Sequence, residues 1–240
     1  MKVSLLTFFI FTSSLLAVES IPDEAQRAFE YLNHVRANPS LFSKEVNVDL
    51  SHAAKRPALL WDNRLAASAQ EKAEDLANRA YLDHFSPEGI GPGELLHKHG
   101  YYLPLSWPDS SEFNYVESIS AGSSRSGVNH IINLLYDHGV PDSSPKANHR
   151  KHLLGMNKFW ASHVHIGIGF AYNPKAKFKG YLVVHTGVPG VPFVTVTGSL
   201  NTPNPIVSTA QTSEIWYNRN SIDFYIIFFI TSGCAFSILF

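Results

Sequence analysis

Two histidines and two carboxylates are the residues of this chain best suited to chemistry: His84, Glu117, Asp137 and His149. His84 opens the stretch His84-Phe85-Ser86-Pro87-Glu88-Gly89, and His149 lies in Ala147-Asn148-His149-Arg150-Lys151-His152-Leu153-Leu154, so each histidine stands beside a turn or a helix start. Glu117 sits in Tyr115-Val116-Glu117-Ser118-Ile119, and Asp137 ends an apolar run that includes Leu134. Two neutral imidazoles and two carboxylates converging on one polar cleft could hold a divalent ion such as Zn²⁺ through N and O ligands, and that ion could retain a water. The same four groups could instead form a hydrogen-bonded cluster that braces the cleft and does no chemistry. If the cleft is enzymatic, Glu117, His84 and His149 are the catalytic candidates. Serines are plentiful, yet no Gly-X-Ser-X-Gly nucleophile elbow is present.

These residues need elements to position them. Residues 62–80 make the strongest helix: Asp62 can cap it, and Leu65, Ala69, Ala73, Leu76 and Ala80 mark one narrow face. The small alanines let that face sit close against a neighbour, with Glu71, Asp75 and Arg79 on the wet side. Residues 22–37 read as a helix entered at Pro22 and ended before Pro39, with Ser20 and Asp23 as a capping pair. The stretch 84–117 is dominated by Gly- and Pro-punctuated loops, with a short helix near 94–99. Residues 128–136 and 148–154 read as further helices. The period then changes to two: Val164, Ile166, Ile168 and Phe170 alternate with His165, Gly167 and Gly169, and residues 181–186 form a second β-rich run, so the pair reads as an antiparallel hairpin. The segment from Pro189 to about Val196 is expected to close the sheet.

The remaining histidines read more blandly. His165 faces solvent or a groove between layers, and His185 is a satisfied core residue. His97 and His99 share a loop, and His138 and His152 flank site candidates and could substitute for them. Trp61 and Trp160 read as core anchors.

Composition narrows the classes. With 240 residues, a formal charge of −1 and no basic run, nothing points to nucleic acid. Lys2 followed by the apolar stretch 3–16 reads as a secretory signal within residues 1–20, cleaved after Ala17 or Ser20. Residues 191–221 read as a Pro- and Thr-rich stalk and spacer, and 222–240 as a hydrophobic tail. That tail is either a GPI-anchor signal, with small residues at Ser208-Thr209-Ala210, or a retained membrane anchor. Either places the protein outside the cell and ties it to a membrane. Cys234, in that tail, is the single cysteine, so the fold stands without disulfides. No Asn-X-Ser/Thr sequon is present.

In order and spacing, several pieces resemble the CAP superfamily of cysteine-rich secretory, antigen 5 and pathogenesis-related proteins, also called the SCP domain. They are Tyr31-Leu32-Asn33-His34-Val35-Arg36, Leu60-Trp61-Asp62-Asn63-Arg64-Leu65-Ala66-Ala67-Ser68-Ala69-Gln70, the His84 stretch, Leu135-Tyr136-Asp137-His138-Gly139-Val140-Pro141, the His149 stretch and Ile166-Gly167-Ile168-Gly169. The absence of core cysteines looks like the cysteine-poor bacterial or protist branch. The resemblance implies an α+β fold over residues 21–190, a three-layer α-β-α sandwich with a central antiparallel sheet. It also implies a cleft in which His84, Glu117, Asp137 and His149 are the two histidines and two acids. The implied function is binding, of sterol, another lipid or an extracellular protein, with zinc or another divalent metal in the cleft. A metal-assisted, protease-like hydrolase and a structural adhesin are the alternatives. Two departures stand out: the family's Gly-Glu-Asn is Val116-Glu117-Ser118 here, and Asp137 is one methylene shorter than the Glu often found at the second acid.

Overall fold

The computed structural model describes residues 18–107, 114–144, 146 and 148–190. The signal reading up to residue 17, the stalk and tail readings, and the sheet-closing segment after residue 190 lie outside the described residues, whereas residues 18–20 of the signal reading are described and include a short strand at Glu19–Ser20. Among those described, no helix is long and apolar enough to cross a membrane.

In chain order the elements are β1 (Glu19–Ser20), α1 (Pro22–Ala37), a 3-10 turn (Pro39–Phe42), α2 (Ser43–Val46), β2 (Leu60–Trp61), α3 (Asn63–Arg79), α4 (Pro92–Lys98), β3 (Glu117–Gly122), α5 (Gly127–Tyr136), a second 3-10 turn (Asp137–Gly139), α6 (Asn148–Leu153), α7 (Lys158–Ala161), β4 (His165–Tyr172) and β5 (Gly180–Gly187). The strands form one sheet in the order β1-β4-β5-β3, antiparallel throughout, with β2 joined to β4 in parallel. The fold is the expected α+β sandwich, and the 165–187 hairpin is its centre.

Strand alternation sorts the core into two halves. Ile166, Ile168 and Phe170 of β4 and Leu182 and Val184 of β5 pack against Ala25, Ala28 and Leu32 of α1 and Ile131 and Leu135 of α5. On the other face, Tyr181, Val183 and Ala171 meet Ala69, Ala73, Leu76 and Ala77 of α3. The third layer comes unusually close because β4 presents glycines to it. A Cβ on Gly167 would fall 2.0 Å from the Ala66 backbone nitrogen, and one on Gly169 would fall 2.3 Å from the Ala69 carbonyl carbon. The small face of α3 thus meets a strand with no side chains at the two closest points.

Several local expectations change. Asp62 caps α3 as expected, accepting from the backbone N–H groups of Arg64 and Leu65. Ala80 leaves the buried stripe: it is exposed, at φ 54°, where the helix terminates. The Ser20–Asp23 cap does not form, because Ser20 is taken into β1 opposite Ala171 and Ile21 becomes the N-cap without a side-chain bond. Strand β3 begins where the loop-rich stretch 84–117 ends, over residues to which the sequence assigned no element. Its Ser118 and Ser120 are poor strand formers; they are buried by hydroxyl–imidazole bonds to His152 and His130 rather than by apolar packing.

Gly169→Ala is expected to destabilise the domain by at least about 3 kcal/mol, because backbone rather than a flexible side chain occupies the space the methyl needs. Urea unfolding of the two proteins measures this, and an unchanged midpoint would contradict the close-approach account.

Candidate functional site

Each of the four candidates arrives from a different element. His84 lies in the loop after α3. The Lys72 ammonium, on α3, donates to the His84 carbonyl at 3.0 Å and to the Tyr81 hydroxyl at 3.1 Å, and so ties that loop to the helix. Glu117 is the first residue of β3. Asp137 closes α5 in the left-handed region at φ 47°, a conformation Asp tolerates better than most residues. His149 is in the first turn of α6.

The structure joins them as two pairs. His84 Nδ1–H donates to Glu117 Oε1 at 2.7 Å, and His149 Nδ1–H donates to Asp137 Oδ1 at 2.9 Å. Both carboxylates are fully buried, whereas the His84 and His149 side chains keep 31% and 27% exposure. His84, Glu117 and His149 line one cleft of about 450 Å³; Asp137 sits behind His149 and does not line it. Asn114, Tyr115, Ser118, Lys146, Asn148, His152 and Trp160 complete the wall.

Neither acid has an oxygen to spare. The second oxygen of Glu117 accepts from His185 Nε2–H at 2.9 Å, and the second oxygen of Asp137 accepts from the Arg150 backbone N–H at 3.1 Å. Burial on its own would raise the Glu117 pKa, but the hydrogen bonds from His185 and His84 outweigh it and hold the carboxyl down at about 2. Asp137 is likewise held below its ordinary value, burial being outweighed by His149 and the Arg150 N–H. Arg150 is itself buried, and its guanidinium donates to Asp142 and to the carbonyls of Leu135, Tyr136 and Val140. Those bonds occupy the free carbonyls at the end of α5 and fix Asp137 in place.

The other histidines divide sharply. His185 is a buried, satisfied residue, and its partners are Glu117 and Ser68. His152 is not a spare ligand: its nitrogens engage Ser118 Oγ at 2.7 Å and Thr186 Oγ1 at 2.5 Å in the core. His138 is exposed and joins nothing in the cleft. His99 bonds Glu71 and His97 packs edge-on to Tyr102, so they form no pair. His165 sits half-buried between layers beside Tyr101 and Asp62. Trp61 is a packing residue against Phe29. Trp160 departs from its expected core role: it lines the cleft and donates from its indole to the Tyr115 carbonyl at 3.0 Å.

Sequence reasoning missed Asn114, Lys72, Ser68 and the part played by His185. Asn114 organises the start of β3, with Oδ1 accepting from the Glu117 N–H and Nδ2 donating to the Glu117 carbonyl, each at 2.9 Å. The one signal available was alternation: residues 181, 183 and 185 share a strand face, which puts His185 toward α3.

The family model described as the CAP, cysteine-rich secretory protein family matches residues 29–186. The chain belongs to this family. A search of curated proteins gave no match. Among solved structures, an extracellular SCP-domain protein of Bacillus anthracis is similar at 21% identity, over 70% of this chain and 41% of its own, with a TM-score of 0.44. The chain therefore spans less than half of that protein's length. An outer surface protein of Borrelia burgdorferi is similar at 18% identity over 71% of this chain and 98% of its own, TM-score 0.44. A venom allergen-like protein of Schistosoma mansoni is similar at 15% identity over 72% and 92%, TM-score 0.39.

In this CAP domain the layer behind the cleft is held by neutral imidazoles. Burial pushes His163 down to about 4, helped by Arg36, and pushes His152 and His130 below their ordinary 6.5. The unfolded chain takes up these protons below pH 6.5 while the folded chain does not, so stability falls as pH drops from 6.5 toward 4. Glu117 acts lower: its contribution is complete above its ordinary 4.5 and is lost as pH falls toward 2. Thermal unfolding followed against pH is expected to show melting temperature falling in these two stages, and His163→Phe is expected to flatten the upper one. A melting temperature constant from pH 7 to 4 would contradict the neutral-imidazole account.

Proposed function

We propose that this is an extracellular CAP-domain protein that acts by binding, with a divalent cation such as zinc held in the cleft by His84 and His149. One observation carries the reading. Each imidazole is tied through Nδ1 to a buried carboxylate, and each Nε2 has no partner among the described residues, at the wall of one cleft. A carboxylate that orients an imidazole in this way is the usual support behind a metal-ligating histidine. Glu117 and Asp137 then act as orienters rather than ligands. Among the described residues no group of three or more His, Cys, Asp or Glu side chains is arranged to hold a metal ion. Two nitrogens leave the rest of a four-coordinate zinc shell to water or to a bound ligand.

The same geometry narrows the hydrolase alternative to the two imidazoles. A general base must reach a water, but Glu117 is fully buried and gives both oxygens to imidazole N–H groups. The wall is mixed: Asn114, Ser118, Lys146, Asn148 and the two histidines are polar, while Tyr115 and Trp160 add aromatic surface, so the cleft suits a hydrated cation beside a ligand that carries both polar and apolar groups.

Calorimetric titration of the full chain in detergent with zinc is expected to show binding that weakens by more than roughly tenfold in His84→Ala or His149→Ala and is lost in the double variant. Zinc binding that survives in the double variant would end the two-histidine reading.

The secretory route is part of the same proposal. Glu19 and Ser20 pair with Tyr172 and Ala171, so cleavage after Ser20 would remove an edge strand, whereas cleavage after Ala17 keeps it. N-terminal sequencing of the mature protein is expected to begin at Val18, and a start at Ile21 would contradict this. The C-terminal tail, as a GPI signal or a retained anchor, would hold the domain at the cell surface.

A further inference from the structure

We propose that His185 and Ser68 are positioning residues for the cleft: acting through Glu117, they lock His84 in the tautomer that leaves its Nε2 lone pair free. The zinc arm of the test below rests on the proposed function; the tautomer arm does not.

The argument follows the protons. An ionised carboxylate only accepts, so every ring nitrogen aimed at Glu117 must carry hydrogen. His84 therefore holds its proton on Nδ1 and His185 holds one on Nε2. The Asn114 amide nitrogen also lies 3.0 Å from His84 Nδ1, but the charged oxygen at 2.7 Å decides which atom bears the proton. A neutral His185 then has a bare Nδ1 in a fully buried site, and a buried acceptor needs a donor. Ser68 Oγ, also fully buried, lies 2.7 Å away and supplies it. Its hydroxyl has an alternative acceptor in the Leu65 carbonyl at 2.9 Å, so turning it toward His185 breaks only a local helix contact. The result is one directed chain: Ser68 O–H to His185 Nδ1, His185 Nε2–H to Glu117 Oε2, and His84 Nδ1–H to Glu117 Oε1.

Rigidity sets which way the influence runs. Glu117 and His185 are direct cross-strand partners in the β3–β5 ladder, so the sheet fixes their separation. Ser68 is on α3, held close by the glycines of β4. His84 alone stands on a loop. The three rigid members therefore orient the loop-borne one. Without His185, Oε2 would be left buried and unpaired, and the carboxylate would be free to rotate away from His84. The second pair has no such support: Asp137 gives its other oxygen to a backbone N–H, so His149 is set independently of His185.

The test uses the full chain in detergent with ¹⁵N-labelled histidine. Two-bond ¹H–¹⁵N correlation spectra read the tautomer of each ring, and zinc titration reads the affinity. In His185→Phe, His84 is expected to leave the Nδ1–H form while His149 keeps it, and zinc affinity is expected to fall roughly 10- to 100-fold. His185→Gln, whose amide can still donate to Oε2, is expected to restore the His84 tautomer and bring affinity within a few-fold of the parent. Folded His185→Phe with His84 and zinc affinity unchanged would overturn the proposal. If His185→Phe does not fold, Ser68→Ala decides: it is expected to move the His185 and His84 signals, and unchanged signals would overturn the proposal equally. Tautomers that respond as expected in a parent protein that binds no zinc would uphold the positioning role and remove the zinc reading instead.

Discussion

A carboxylate cut off from water has to receive all of its hydrogen bonds from protein, and two such groups organise this domain. Glu117 obtains its donors from a strand partner and from a loop histidine. Asp137 obtains its own from the first turn of α6. Leaving either oxygen of such a group unpaired costs on the order of 1–3 kcal/mol, so the loop carrying His84 and the helix carrying His149 are held where the acids need them. The cleft is a consequence of that demand. It opens where two imidazoles have turned one nitrogen inward to an acid and are left with the other facing outward.

Packing and site geometry are linked through the glycines of β4. Because Gly167 and Gly169 let α3 settle onto the strand, Ser68 comes within hydrogen-bond reach of His185 on the neighbouring strand. A side chain at either glycine would push α3 outward and stretch the chain of bonds that ends at His84. On the other face the same economy appears in different form: Ser118, His152, Thr186 and His163 are linked by short hydrogen bonds through the layer behind the cleft. Those imidazoles stay neutral because burial disfavours their charge. They stiffen the wall without adding a positive charge next to the cleft.

This division of labour bears on what the domain does. Acids that are buried, ionised and fully subscribed can orient histidines, and they are badly placed to move protons to and from a substrate. Half-exposed imidazoles with one committed nitrogen are suited to binding. On the proposed reading, the imidazoles hold a ligand and the acids hold the imidazoles.

Much of the architecture was legible along the chain. Periodicity located α1, α3, α5 and the 165–187 hairpin, because a 3.6 or a 2 residue repeat of apolar side chains is a local property. Residue types picked out His84, Glu117, Asp137 and His149, because few side chains in a neutral, cysteine-poor domain offer nitrogen and oxygen donors beside turns. Pairing was not legible. That β3 is a strand follows from its antiparallel ladder with β5, and His130 and His152 bond its serines across the layer. The place of His185 follows from a register with Glu117, 68 positions away, and the closure of α5 from an arginine in the next helix. Ser20 changed from cap to strand for the same reason, since a partner at Ala171 outweighed a local bond. Side-chain chemistry and local period are written residue by residue, whereas which oxygen meets which nitrogen depends on distances that exist only once the layers have packed.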